Sequence, residues 1–372
     1  MIKVLNIISD SNIGGAGKCV LNFLKYYDRK KFSVKVIVPR GSLLKPEIEK
    51  LKTDVIEVDG ITDKSFDLKA VKNLKRIIKR LKPDIVHTHG TMSGRIAAKM
   101  CGVKIIYTRH SVFPVSERIK KGLGQKANKF ANEFFSDRII AVAEAAKDNL
   151  TEGGINPDRI DVILNGVEPL SEVSEEKKQE IRSLYSISQN DFVVGILARL
   201  EPYKGHIYVI EAAEMLKDKG IPVKVIIAGT GSCEEELKNT IKTKNLEDTV
   251  IMAGFVNDVQ GLLSVMDVQV NASYGTEATS LSLLEGMSLG IPAVVSDFGG
   301  NPGVITDGEN GFIFPLKNST KLALLIRELY EDTNTYNKMS KRAKEIFNEK
   351  FTAQIYAHNI EKEYEKVLEG GK

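Results

Sequence analysis

Short apolar runs alternate with segments of helical period along almost the whole of this 372-residue chain, and that alternation restricts the fold more than any other feature. In the first half the runs are Ile2–Ile8, interrupted only by Lys3 and Asn6, then Phe32–Val38, Asp54–Val58, Ile85–His87, Lys104–Thr108, Ile139–Val142 and Ile160–Leu164. A second series begins at Phe192–Leu197 and continues through Val223–Ala228, Thr249–Ala253, Val265–Ala272 and Val294–Val295. Strand alternating with helix specifies a parallel, doubly wound α/β sheet. The length exceeds what one core usually serves, so two domains of roughly 150–200 residues each are expected. Glu168–Asn190, polar and closing on a Ser/Asn/Asp cluster, is the expected linker, with Asn165–Gly166 as its hinge.

Several function classes fall away on composition. A net charge of +4 is small for this length and gives no reason to expect nucleic acid. Cys19, Cys101 and Cys233 are isolated and odd in number, which argues against a disulfide framework or a zinc knuckle. The N-terminus MIKVLNIISD has no small-residue cleavage site, and no apolar run approaches the ~18 residues that span a bilayer. The expected address is cytoplasmic, with the inner face of the cell membrane as the place for any peripheral contact. Two basic amphipathic stretches bear on that contact. In 67–82, Leu68, Val71, Leu74, Ile77, Ile78 and Leu81 recur at helical spacing among lysines and arginines. In 115–135, Ile119, Leu123, Phe130, Phe134 and Phe135 alternate with Arg118, Lys120, Lys121, Lys126 and Lys129. Each is either a helix lying on anionic headgroups or an ordinary helix with its apolar side in the core and its charges in water.

In an open parallel sheet, ligands bind past the carboxyl ends of the strands, so residues there are the site candidates. After Ile2–Ile8 comes a glycine segment with Gly14, Gly15 and Gly17. It matches neither a Walker A loop, which would need a Gly where Asn12 stands and Ser or Thr at Cys19, nor G-x-G-x-x-G. What remains is a tight turn that lets backbone approach a ligand, or a plain turn. His87, His89 and His110 end two further strands and are candidate hydrogen-bonding or acid–base groups; no acidic or cysteine partner at ligand spacing supports a metal. In the second series Arg199 and Lys204 flank a strand–turn–helix and can neutralise a diphosphate. Gly229–Ser232, including Gly231, is another close-approach loop. In Gly275–Pro292, GTEATSLSLLEGMSLGIP, Glu277 precedes a helix start and Glu285 follows in its second turn. Helix N–H groups suit a phosphate, and the carboxylates suit sugar hydroxyls. Ser282–Glu285 equally spells a capping box, in which Glu285 only satisfies a backbone N–H.

Taken together, GGAGK, DIVHTHG, YTRHS, ILNGV, ARLEPYKG, AGTG and E-x7-E with GIPAVVSDFGG resemble the retaining glycosyltransferases of the GT-B fold, family 4 (group 1) type, over nearly the whole chain. The resemblance implies two Rossmann-like domains facing a cleft, 1–168 on the acceptor side and 169–350 for the nucleotide sugar, with a last helix, about 351–372, returning to the first. Phe351, Ile355, Tyr356, Ile360, Tyr364 and Leu368 supply an apolar stripe for that return. By the same resemblance Arg199 and Lys204 hold the donor diphosphate with backbone at Leu281 and Ser282. Glu277 contacts the transferred sugar and Glu285 the ribose. Gly15, with Gly14, closes on the donor phosphate; His110, and more weakly His89, lies beside the donor sugar; backbone at Phe255 and Val256 reads the base.

The implied activity is transfer of a hexose from a nucleotide-diphosphate donor, a UDP-sugar or else a GDP-sugar, to a cell-envelope polysaccharide or lipid-linked acceptor. Anomeric configuration would be retained, and no metal or other cofactor is implied; no D-x-D signature is present. A nucleotide-sugar epimerase or hydrolase on the same fold, or a non-catalytic nucleotide-sugar sensor, is the alternative. The chain departs from the family pattern at Ala278–Ser280, small and hydroxylic where relatives are bulky or glycine, at Gly303 in place of an acidic residue, and at Ala143 in place of serine.

Overall fold

In the computed structural model, which describes residues 1–61 and 66–370, the chain divides into two compact units. The first is Met1–Val167 with Thr352–Lys372; the second is Glu168–Phe351. Residues 62–65, within the first expected domain, and the last two residues of the expected helix 351–372 lie outside the described residues.

The first unit is built on seven parallel strands: β1 (Ile2–Ile8), β2 (Phe32–Pro39), β3 (Asp54–Val58), β4 (Ile85–His89), β5 (Lys104–Arg109), β6 (Arg138–Ala141) and β7 (Ile160–Val162). Their spatial order is β3-β2-β1-β4-β5-β6-β7, so the winding reverses between β1 and β4, where Ile8 stands opposite His89. Strand side chains alternate between faces. Leu5 and Ile7 of β1 join the core formed with the helices Leu68–Leu81 and Met92–Lys99. Asn6 belongs to the other face, among Val20 and Phe23 of the helix Gly15–Tyr26 and Tyr356, Ile360 and Tyr364 of the helix Ala353–Leu368. Thr352 caps that last helix by accepting from the Ile355 N–H. Its buried stripe runs through Tyr356, Ile360, Tyr364 and Val367; Ile355 is only half-buried and Leu368 is exposed, which shifts the expected stripe by one residue at its end.

The second unit has six parallel strands: β8 (Phe192–Leu197), β9 (Val223–Ala228), β10 (Val250–Gly254), β11 (Val268–Asn271), β12 (Ala293–Ser296) and β13 (Gly311–Phe314). Their order, β10-β9-β8-β11-β12-β13, reverses between β8 and β11. The expected strand Val265–Ala272 shortens to β11 because Val259–Leu263 is helical and Ser264–Asp267 turns out of it.

Two expectations about the junction change. The polar stretch 168–190 contains a helix, Glu175–Leu184, capped by Ser174 and burying only Ile181. A helix with one buried position leaves almost no apolar period to detect. Asn165–Gly166 is pinned rather than free to turn: Asn165 is buried and accepts from Cys19 Sγ at 3.1 Å, and Asn22 Nδ2 donates to the Gly166 carbonyl at 2.8 Å. A side chain at Gly166 would strike the backbone of Thr352.

Candidate active site

In the second unit β8 ends at Leu197, leaving Arg199 exposed, and a turn at Pro202–Lys204 leads through Gly205 into the helix His206–Asp218. Gly205 has φ 74°, and a Cβ there would meet the Ala272 carbonyl. Only glycine allows this left-handed close approach, which seats the β8 loop on the end of β11. As a result Lys204 Nζ reaches Glu277 Oε2 at 2.8 Å and the Thr276 carbonyl at 3.4 Å. The buried Oε2 of Glu277 also accepts from Asn271 Nδ2 at 3.1 Å and Ser273 Oγ at 3.2 Å. Asn271 in turn accepts the Ser273 N–H on Oδ1, which orients its amide nitrogen to Glu277. From behind, the Glu277 carbonyl accepts the Gly300 N–H at 3.0 Å, and Ser296 Oγ donates to the Ser273 carbonyl at 2.6 Å. Arg199 donates to the Tyr203 hydroxyl at 3.2 Å.

The helix Leu281–Ser288 starts beside this group. Its cap is Ser280, whose Oγ accepts the Leu283 N–H, so the capping box expected at Ser282–Glu285 does not form. Ser282 is the second helical residue, with Oγ donating to the Leu197 carbonyl at the end of β8. Glu285 is the fifth, a full turn past the cap. The N–H groups of Leu281 and Ser282 are among those a helix start leaves without intrahelical acceptors, in a region of partial positive charge. Gly231 packs against the Leu200 backbone, so its lack of a side chain is accounted for by the scaffold. Past β10, Phe255 is exposed while Val256 packs into the core.

The first unit presents a different arrangement. Gly14 and Gly15 are not in a left-handed turn. Gly14 is extended and precedes the helix, and Gly15 is its first residue, with open space where a Cβ would point. His87 lies within β4 rather than past it; its Nδ1 is 2.8 Å from the Tyr364 hydroxyl and its Nε2 2.6 Å from Thr108 Oγ1. His89 Nδ1 is 2.9 Å from His110 Nε2, and His89 Nε2 is 3.0 Å from Asn6 Oδ1. Burial depresses all three imidazoles, His87 to about 3, His110 to about 4 and His89 well below the ordinary range, so the cluster is neutral near pH 7.

Residues 177–346 match the model of glycosyl transferases group 1, and residues 13–169 that of glycosyltransferase family 4. UDP-Gal:α-D-GlcNAc-diphosphoundecaprenol α-1,3-galactosyltransferase of Escherichia coli is 30% identical over 289 residues, 75% of this chain and 74% of that one. The chain belongs to this glycosyltransferase family. The glycosyltransferase is also 24% identical to N-acetyl-α-D-glucosaminyl L-malate synthase of Bacillus anthracis, over 82% of this chain and 81% of that one. The crystal structure of Anabaena HepE in complex with UDP matches with a TM-score of 0.85 at 23% identity, covering 98% of this chain and 100% of that one. The fold is GT-B.

Of the residues singled out in the glycosyltransferase sequence, the structure joins Lys204 to Glu277 and His89 to His110, and places Arg199, Leu281 and Ser282 at the β8/β11 reversal. His87 is tied into the interior by Tyr364 and Thr108. Asn271 and Ser273, which hold Glu277, were not anticipated; their only sequence signal is polarity at the carboxyl end of an otherwise apolar strand. Tyr364 gave none, since it counted simply as part of an apolar stripe.

Proposed function

We propose that this glycosyltransferase moves a hexose from a UDP-sugar to a cell-envelope polysaccharide or lipid-linked acceptor, retaining anomeric configuration and using no metal. The observation that carries the reading is the Lys204–Glu277 pair beside the start of the helix Leu281–Ser288. When the anomeric C–O bond breaks, its electron pair stays on the diphosphate. Arg199, Lys204 and the N–H groups of Leu281 and Ser282 are the donors to that developing charge. Glu277, held at Oε2, orients the sugar; Glu285 takes the ribose hydroxyls, Phe255 and Val256 the base, Gly14 and Gly15 the phosphate, and His110 the sugar, with same-face attack by the acceptor hydroxyl. The UDP bound to Anabaena HepE and the diphosphoundecaprenol-linked substrate named for the E. coli relative support the choice of donor and acceptor class.

Contact with anionic membrane belongs to the same proposal. The helix Gly122–Phe134 buries none of its residues, Phe130 and Phe134 stack on each other in solvent, and Leu123 is 84% exposed. Core packing of these two phenylalanines, the alternative reading of 115–135, is thereby overturned. The helix Leu68–Leu81 does bury Val71, Leu74 and Ile78, so the lysines of 67–82 form a solvated face. No helix among the described residues is long and apolar enough to cross a membrane.

The test is thermal unfolding of the full chain with UDP-, GDP-, ADP- and CDP-sugars. A UDP-sugar at a hundred times its Kd adds about 2.7 kcal/mol of stability, and turnover persists in EDTA. Stabilisation by GDP-sugars alone, or loss of turnover in EDTA that Mg²⁺ restores, would refute the donor or the metal-free chemistry respectively. Salt-insensitive absence of flotation with anionic liposomes would remove the membrane.

A further inference from the structure

Glu277 is held by more than the side chains that touch it. Its Oε2 takes three donors, Lys204 Nζ at 2.8 Å, Asn271 Nδ2 at 3.1 Å and Ser273 Oγ at 3.2 Å, and among the described residues nothing donates to Oε1. Lys204 has a second duty, since a diphosphate competes for its ammonium; the two neutral donors have none. A carboxylate paired with a lysine only accepts, so the Ser273 hydroxyl gives its single proton to Glu277. The Ser273 N–H goes to Asn271 Oδ1 at 3.1 Å, and the Ser273 carbonyl accepts Ser296 Oγ at 2.6 Å. Ser296 ends β12 with no exposed surface, and its hydroxyl in turn accepts Asn301 Nδ2 at 3.1 Å. The same nitrogen donates to the Ser296 carbonyl, again at 3.1 Å. A carbonyl cannot donate, so the Asn301 amide can present only its nitrogen there, and the direction of each bond from Asn301 to Glu277 follows.

We propose that Asn301 and Ser296 are positioning residues for Glu277, which hold Ser273 in place and so aim Oε1 at one hydroxyl of the transferred hexose. The inference rests on the placement of Glu277 at the sugar made above. Asn301 opens the short helix Asn301–Val304, on the segment that also gives the Gly300 N–H to the Glu277 carbonyl at 3.0 Å. That segment therefore fixes Glu277 twice, directly at its backbone and, through two hydroxyls, at its carboxylate. Ser273 and Asn301 are each 1% exposed. Burial keeps solvent from replacing a missing member, and a buried polar group left alone is costly, so loss of one link turns the next. A carboxylate displaced in this way still pairs with Lys204, whose stem is flexible, but no longer meets a fixed sugar hydroxyl at hydrogen-bonding distance. The signature is a loss confined to one hydroxyl of the donor, with the contacts to its diphosphate and base unchanged.

Calorimetric titration of the full chain with UDP, UDP-glucose, UDP-galactose and analogues of the better-bound hexose that each lack one hydroxyl tests this. One such deletion should weaken binding to the wild type about tenfold. In Asn301→Ala and in Ser296→Ala that penalty should shrink to about threefold or less, while the penalties at the other hydroxyls and the affinity for UDP itself stay within about twofold of wild type. Ser296→Ala removes a single oxygen and carries the test if Asn301→Ala does not fold. The full penalty persisting in a folded variant, or UDP and UDP-hexose weakened equally, overturns the positioning role. Glu277→Gln separates this from the donor-site reading, because the three donors hold its amide oxygen and turn its nitrogen to the sugar. If Glu277→Gln abolishes the selective penalty while the Asn301 and Ser296 variants keep it, the positioning role alone fails. If Glu277→Gln keeps it, if no deletion is selective in the wild type, or if neither UDP-hexose binds, the placement of Glu277 at the sugar fails and the inference falls with it.

Discussion

Where β8 and β11 end, a lysine and a glutamate meet at 2.8 Å and the glutamate is braced by two neutral donors, whereas around the ends of β1, β4 and β5 three histidines are kept uncharged, two of them, His89 and His110, joined by a hydrogen bond. Both groups occupy the reversal point of a parallel sheet, so the scaffold is alike and the chemistry is not. Fixed charge is useful where charge develops as the sugar–phosphate bond breaks. A neutral cluster is useful where a hydroxyl has to be oriented without being ionised. The contrast can be broken most sharply at Lys204. Lys204→Ala should lower kcat by ~10² or more, and should also cost about 3 kcal/mol of stability because Glu277 is left as a buried carboxylate without its cation; steady-state kinetics and urea unfolding measure the two. Arg199→Ala should show a similar kinetic loss, ~10², with stability changed by less than about 0.5 kcal/mol, since the side chain is exposed. Near-wild-type rates in both would remove the donor site from β8.

The neutral cluster has its own signature in acid. A histidine whose folded pKa is depressed takes up its proton more readily in the unfolded chain, so its contribution is present above pH ~6.5 and is lost as pH falls toward the folded value. By pH 5 each such histidine costs roughly 2 kcal/mol. The first unit has three, His87, His89 and His110; the second has His206, held at about 4 by burial and by the charge of Lys204. Hydrogen exchange between pH 7 and 5 should therefore show the first unit losing protection before the second. Equal loss in both would mean that the cluster is already hydrated and charged.

Much of this architecture was legible because buried parallel strands are apolar nearly throughout: β1, β2, β3, β8 and β9 begin and end within a residue of the apolar runs. β13 was not, since Gly311–Phe314 is four residues long and follows a turn-rich stretch. The site was legible at its charges and not at its supports. Glu277 and Lys204 stand out in a motif, but nothing local says that Asn271 and Ser273 will turn toward Glu277, because that depends on Gly205 closing the β8 loop onto β11. The sequence pattern offered Ser282 as the cap, whereas the helix starts at Leu281 and is capped by Ser280. The burial of His87 depends in part on Tyr364, whose hydroxyl lies 2.8 Å from its Nδ1 and which is distant in sequence and set in place by the returning helix.

The smallest effect expected separates scaffold from function at the other helix start. Where Ser280 caps its helix with a side chain, Gly14 gives none, and Gly15, the first helical residue, has a negative φ and nothing within 4 Å of where a Cβ would sit. Judged as scaffold, Gly15 is a poor choice: alanine would fit and would restrict the unfolded chain. Gly15→Ala should raise the stability of the ligand-free protein by up to about 0.5–1 kcal/mol. A glycine kept where alanine would be more stable is intelligible if the open space is used by a donor phosphate that needs the backbone close. The same variant should then bind a UDP-sugar several-fold more weakly, so that its thermal stabilisation by donor shrinks while its ligand-free Tm rises. Opposite signs in the two measurements are the result that assigns the glycine to the donor; a rise in both would leave the helix start as scaffold and confine the donor contacts to the charged end of the second sheet.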